Sequence, residues 1–411
     1  MLAGAFVTCG NQAGIIPLVN DVEVWGREAG VRTRPESLED VQEVLKHAYG
    51  SGSAVIPWGG GTGQDYGAPP RKADILLDLS GINALVAHEY ADMTVTVQAG
   101  MTLAALQEQL AQHGQFLPLD PPQPEKATVG GILATNACGP LRLGYGTVRD
   151  WLIGITVVDA QGRLVKGGGK VVKNVTGYDL PKLHVGALGT LGVIVEATFK
   201  VSPKPETART LVAQVNPGRD LEGASTRLWN ETRPVSLLLH EDAQGRFLVA
   251  LYHGTETVTD AAAQRGAEIA TECGLTPVQV YPGELVPESP AAPVQVRLVA
   301  PPAAAVALHA AAFDALVETA ATLDTWLGVG VLTLSWDADD EKARTGVARA
   351  LMLAKVRGVR FTLLHGSLAL RSGGVEALWF PAPPARVLHE RVKEALDPYN
   401  LLNPGRFVCG I

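Results

Sequence analysis

A chain of 411 residues, 46% of them hydrophobic, is long enough for two domains and carries ample apolar material for two cores. Charged residues make up only 18%, and a formal net charge of −8 with no basic stripe excludes a nucleic-acid-binding surface. The 45 glycines and 27 prolines announce many turns and irregular loops.

Ser37 opens the first predicted helix, with Asp40 as an imperfect capping partner and Leu38, Val41, Val44, Leu45 and Ala48 on one face. Val55-Ile56 reads as a short buried strand leading into a first glycine-rich stretch, Pro57-Trp58-Gly59-Gly60-Gly61-Thr62-Gly63. Strands are expected at 75–79, 85–87 and 94–97, and Thr102 caps a helix that carries Leu103, Leu106 and Leu110 and ends near Gly114. The proline-rich run Leu117-Pro118-Leu119-Asp120-Pro121-Pro122 precedes a second stretch, Thr128-Val129-Gly130-Gly131-Ile132-Leu133-Ala134-Thr135-Asn136. Residues 153–158 and 163–165, joined by Asp159-Ala160-Gln161-Gly162, form a predicted hairpin. A third stretch, Gly186-Ala187-Leu188-Gly189-Thr190-Leu191-Gly192-Val193-Ile194-Val195, runs on as a strand through Phe199.

After Ser202-Pro203-Lys204-Pro205 glycine thins out and alanine-rich segments appear, which places a domain boundary there. Expected helices at 259–273, 303–321 and 339–356 alternate with strands at 235–240, 246–253, 326–335 and 359–364, an α+β pattern with a largely antiparallel sheet. Pro381-Ala382-Pro383-Pro384 closes this unit and a last helix spans 385–396. The expected organisation is therefore a first domain over 1–204, a second over 205–384, and a C-terminal segment, 385–411, returning to the first.

The first basic residue is Arg27, so the positively charged start of a secretory signal is missing, and no uninterrupted apolar run approaches the roughly 20 residues that span a bilayer. The expected location is the cytoplasm. Cys9, Cys138, Cys273 and Cys409 stand far apart without a CxxC, so no zinc or iron–sulfur site is expected.

Each glycine stretch pairs glycines with a hydroxyl residue beside an apolar run, which suits a backbone that must approach a bulky phosphorylated ligand with converging N–H groups. Gly59-Gly60-Gly61-Thr62-Gly63-Gln64 lacks the GxGxxG spacing of a nicotinamide dinucleotide fold, and no Lys-Ser or Lys-Thr follows it as in a P-loop.

The three stretches in this order resemble the FAD-binding domain of the vanillyl-alcohol oxidase and p-cresol methylhydroxylase type, over residues of about 30–200. The resemblance implies an α+β fold: a two-subdomain FAD-binding domain followed by a C-terminal α+β cap with an antiparallel sheet. It implies that Pro57, Gly59, Gly60, Gly61, Thr62 and Gly63 hold one phosphate region, and that Thr128, Gly130, Gly131, Thr135 and Asn136 hold the other and approach the isoalloxazine. Pro118 joins the expected cofactor contacts, and Gly192, Val193 and Ile194 line the adenine and ribose end. No histidine or cysteine follows Gly61, so FAD is expected to be noncovalent.

Gly139-Pro140-Leu141-Arg142, Tyr145-Gly146-Thr147-Val148-Arg149-Asp150, the run from Lys166 to Leu180 and the closing Leu402-Asn403-Pro404-Gly405-Arg406-Phe407 resemble more closely the second FAD-binding subunit of bacterial glycolate oxidases. That resemblance implies oxidation of a small 2-hydroxy acid, partners that are a second flavoprotein subunit and an iron–sulfur subunit, and contact with the inner membrane only through them. Related hydroxy-acid dehydrogenases carry a His-Gly-His motif, where imidazole binds metal or takes the substrate proton. This chain offers His365-Gly366-Ser367 and Tyr252-His253-Gly254, with His365 the candidate base and Arg142 and Arg149 candidate carboxylate ligands. Two alternatives stand beside the complex: a self-sufficient FAD-dependent 2-hydroxy-acid dehydrogenase, and an assembly subunit whose FAD is structural.

Overall fold

The computed structural model describes residues 22–24, 27–169, 179–285 and 292–411. The expected Lys166–Leu180 signature falls largely outside them, at 170–178. The helix Leu38–Ser51 starts where Ser37 and Asp40 form a complete capping box and stops at Gly52, whose φ of 69° few other residues adopt. It is the crossover that a parallel sheet requires. It links Val31–Thr33 to Val55–Trp58, both of which pair with the central strand Ile75–Asp78. Its buried face, Val41, Val44, Leu45 and Ala48, packs on Val55, Ile75 and Leu77.

A five-stranded antiparallel sheet follows, in the order Leu164–Gly168, Leu152–Val158, Val193–Lys200, Thr94–Gln98, Leu85–Glu89. The helices Leu103–Ala111 and Val129–Thr135 share its core, where Leu106, Leu110, Ile132 and Leu133 meet Val95, Val97, Ile155 and Phe199. The predicted hairpin turns at Asp159, whose Oδ1 accepts the N–H groups of Gln161 and Arg163 at 2.9 Å each.

Residues 207–365 supply eight strands of one nine-stranded antiparallel sheet, Trp379–Phe380 adds the ninth at its edge, and the strand order exposes a duplication. The first unit runs strand Thr207–Gln214, helix Leu221–Thr232, strands Ser236–Asp242 and Gly245–Gly254, helix Glu256–Glu272, strand Val278–Pro282. The second repeats that βαββαβ order from Val294–Val299 through the helices Ala305–Leu316 and Glu341–Arg357 to Arg360–His365. The units join edge to edge where Leu238 pairs with Trp326 and His240 with Asp324. The single strand expected at 326–335 is two, Thr322–Trp326 and Val331–Trp336, because the chain reverses at Gly330, φ 70°. The strand Val278–Pro282 escaped the reading because it is an edge strand bearing mostly half-exposed and exposed side chains, with no apolar alternation to detect.

Past the helix Arg386–Leu396 the chain returns to the first domain. Val55 N–H donates to Leu401 O at 2.8 Å, Asn403 N–H donates to Val55 O at 2.9 Å, and Leu402 is fully buried beside Val55. No helix among the described residues is long and apolar enough to cross a membrane.

Candidate functional site

The three glycine-rich stretches converge on one cleft. Pro57, Gly59, Gly60, Gly61, Thr62 and Gly63 line one side, Thr128, Gly130, Gly131 and Thr135 another, and Gly192, Val193 and Ile194 a third. Pro118 and Asn136 are not in the lining. Pro118 is buried in its proline-rich run, and Asn136 ends the helix Val129–Thr135 in a left-handed conformation, φ 53°. Trp58, Gln64, Leu79, Ala99, Ala134, Leu188, Gly189, Asn403 and Arg406 complete the wall. Trp58, Ala134, Leu188 and Gly189 belong to the stretches read from sequence, whereas Leu79, Ala99, Asn403 and Arg406 were missed because a residue outside them carries no local signal of the wall it will join.

The glycines also answer a packing need. A Cβ on Gly59 would land on the Thr128 hydroxyl and one on Gly60 on the Lys126 carbonyl. At Gly63 it would stand 2.6 Å from Thr135 Cγ2, and at Gly130 2.9 Å from Ala99 Cβ. They let the first loop interlock with the segment leading into the second stretch, and only Gly61, φ 78°, needs the left-handed region as well.

The first loop is clamped from its far side by the C-terminal segment. Arg406, 2% exposed, donates through Nη1 to Gln64 Oε1 at 2.9 Å and through Nη2 to the carbonyls of Gly63 and Tyr66 at 3.0 Å each. Burial, with the Arg371 charge nearby, disfavours its protonated form, but a guanidinium stays charged at neutral pH. Arg371 in turn donates to the Gly67 carbonyl and lies 3.7 Å from Asp65. His365 sits at the same junction, its Nδ1 3.6 Å from Asp65 Oδ2, and is not part of the cleft lining.

The face of the nine-stranded sheet that lacks helices bears polar side chains opposite the first domain. On Val294–Val299, Val294, Val296 and Leu298 enter the helix-covered core, so Gln295 and Arg297 point the other way. Arg297 lies within electrostatic reach of Arg142, Tyr66 and Cys138, and burial lowers its pKa. Its Nε is shut off from water and has no hydrogen-bond partner among the described residues. Arg297 was missed because a lone arginine in a strand-like run looks like any surface residue. Arg149 is exposed on the short helix Val148–Trp151.

Asp120 accepts the N–H groups of Gly139 at 2.8 Å and Leu141 at 2.7 Å, and burial pushes its pKa up to about 7. His253 is already engaged: Tyr145 Oη is 3.0 Å from its Nδ1 and Glu284 Oε1 3.1 Å from its Nε2. Burial raises the Tyr145 pKa, and the contact with His253 lowers that of Glu284. Neither His253 nor His365 has a second histidine beside it in the described contacts, and no group of three or more potential metal ligands occurs among the described residues.

The cleft fits a dinucleotide with a flavin. Among the described residues none of the backbone N–H groups of Gly59 to Gly63 reaches a backbone acceptor, which leaves a row of donors for phosphate oxygens. Residues 30–168 match the FAD binding domain family. This part of the chain is a FAD-binding domain. The chain is similar to a D-2-hydroxyglutarate dehydrogenase of Xanthomonas citri pv. viticola, 35% identical over 47% of this chain and 42% of that protein. It is also similar to glycolate oxidase subunit GlcE of Escherichia coli K12, 36% identical over 34% of this chain and 40% of the subunit. The chain thus matches well under half the length of either relative. Among solved structures, the 4-ethylphenol oxidase of Gulosibacter chungangensis superposes with a TM-score of 0.71 at 15% identity, covering 95% of this chain and 91% of that one. The fold around the FAD-binding domain is therefore the p-cresol methylhydroxylase-type fold, cap included.

Proposed function

We propose that this chain is a FAD-dependent oxidoreductase acting on a small 2-hydroxy acid within a glycolate oxidase-like assembly. The observation that carries the reading is the Arg142–Arg297 pair. Arg297 is buried within electrostatic reach of the Arg142 guanidinium, and among the described residues neither has an ion pair with an acid, so an anion beside them relieves the repulsion. A guanidinium with an unspent N–H is matched to a carboxylate, which glycolate, lactate and 2-hydroxyglutarate all carry beside the hydroxyl that is oxidised. The residues that hold FAD would be the loop at Gly59–Gly63, the Thr128–Thr135 stretch and the Gly192–Ile194 wall, and bound FAD supplies the two-electron acceptor. The chain's own side chains would orient the acid by its carboxylate. His365, 3.6 Å from a carboxylate that can accept its proton, remains the candidate base, at the junction of cap and loop.

The names of the relatives support a glycolate oxidase-type complex and a self-contained dehydrogenase alike. His253, whose Nδ1 is held by Tyr145 Oη, and His365 are separate candidates where an adjacent histidine pair is expected, which favours work shared with partner chains, a second flavoprotein and an iron–sulfur protein. The test is anaerobic mixing of the FAD-loaded chain with glycolate, D-lactate and D-2-hydroxyglutarate, alone and with its partner chains, while flavin absorbance is followed. Bleaching only in the complex supports the shared reading, bleaching of the isolated chain supports the dehydrogenase, and no bleaching by any of the acids in either state overturns both. Replacing Arg297 with Met should raise KM at least tenfold for each acid that bleaches the flavin, the loss of a charged hydrogen bond of about 1.5–3 kcal/mol.

A further inference from the structure

Asn403 reaches the cleft from the far end of the chain. It is 3% exposed and adopts a left-handed φ of 44° in the turn after Leu402. Its backbone N–H donates to Val55 O at 2.9 Å and its Nδ2 donates to Leu188 O at 2.7 Å. Those two bonds pin the side chain between the strand that feeds the first loop and the wall that carries the third stretch. With Nδ2 committed, Oδ1 is the only polar atom left to place. It is buried, belongs to a residue that lines the cleft, and has no hydrogen-bond partner among the described residues. Exchanging the amide's oxygen and nitrogen does not help, because an oxygen would then face the Leu188 carbonyl and a donor would be orphaned instead. Native proteins leave few such acceptors dry. Gly189, φ 67°, lets the wall approach the amide, since a Cβ there would stand 3.3 Å from Asn403 Nδ2 and 3.4 Å from Pro57 Cγ.

We propose that Asn403 Oδ1 accepts a hydrogen bond from a donor group of FAD, making the C-terminal turn part of the cofactor site. FAD offers several such donors: the adenine amino group, the ribose and ribityl hydroxyls and the flavin N3–H. The inference rests on FAD being the occupant of this cleft. It also explains why the closing segment packs into the first domain instead of ending on the cap, since its Asn403 and Arg406 serve the cofactor and the loop that holds it.

The experiment titrates the apoprotein with FAD and with a panel of analogues that each lack one donor, such as hypoxanthine for adenine, deoxy sugars and an N3-methyl flavin, read by absorbance and fluorescence. One analogue is expected to bind the unmodified chain at least tenfold more weakly than FAD. Asn403→Ala is expected to lose FAD affinity by a similar factor while binding that same analogue no worse than it binds FAD. Equal binding of every analogue by the unmodified chain overturns the inference, as does undiminished FAD binding by a folded Asn403→Ala. A variant that does not fold leaves the decision to the analogue series on the unmodified chain. If that chain binds no FAD at all, the cofactor assignment itself falls.

Discussion

Replacing Lys393 with Met should destabilise the apoprotein by about 3–5 kcal/mol, the cost of stranding one member of a buried ion pair. The Lys393 side chain is 6% exposed, and its Nζ donates to Asp397 Oδ2 at 2.6 Å and to the carbonyls of Thr190 and Leu402 at 2.8 Å each. Asp397, whose side chain is fully buried, also accepts the N–H groups of Leu401 at 3.0 Å and Leu402 at 2.7 Å. Burial draws the Lys393 pKa down while Asp397 opposes that shift. Taking the ammonium away leaves a carboxylate with two amide donors and no counter-charge. Adding Asp397→Asn removes that stranded charge, so the double variant should recover about 2 kcal/mol of the loss. Urea unfolding of the four proteins at pH 7.5 measures each term. A loss below about 1 kcal/mol for Lys393→Met, or a double variant equal to the sum of the singles, would refute the reasoning. The pair also sets where Leu402 and Asn403 lie, so the single variant should bind FAD more weakly as well.

Gly60→Ala should cost about 1–3 kcal/mol and weaken FAD binding, because its methyl group meets the Lys126 carbonyl where the two loops interlock; thermal melts with and without FAD would show it. Acid should weaken the cleft wall through His184, whose Cε1 stands 3.3 Å from the position of a Cβ on Gly192 and whose burial lowers its pKa to about 4. The folded value lies below the ordinary 6.5, so stability is complete above pH 6.5 and falls between there and about pH 4. At pH 5 the difference is about 2 kcal/mol. His184→Phe should abolish that part of the pH dependence in urea unfolding at pH 7.5 and 5.0, and an unchanged profile would count against it.

Much of the first domain was legible because its signals are local. Ser37 and Asp40 mark a helix start, and the runs at Val55, Ile75 and Thr94 are apolar enough to read as strands. In the cap the first strand of each unit, Thr207–Gln214 and Val294–Val299, passed unnoticed, although Val294, Val296 and Leu298 alternate with polar residues. A six-residue alternation after a proline-rich linker is too short to stand out. The duplication was invisible for a related reason: two βαββαβ units can share a topology and a core pattern with no repeated residues to compare.

By itself the sequence determined the cofactor class, since three loops rich in glycine in a set order are a property of the chain and can be read along it. Their convergence on one cleft, the clamp of Arg406 on the first loop and the arrival of Asn403 beside Pro57 were decided only by tertiary structure. Loop chemistry is encoded within a few residues. A wall assembled from residues more than 200 positions apart, such as Leu188 and Asn403, exists only once the core beneath it has packed.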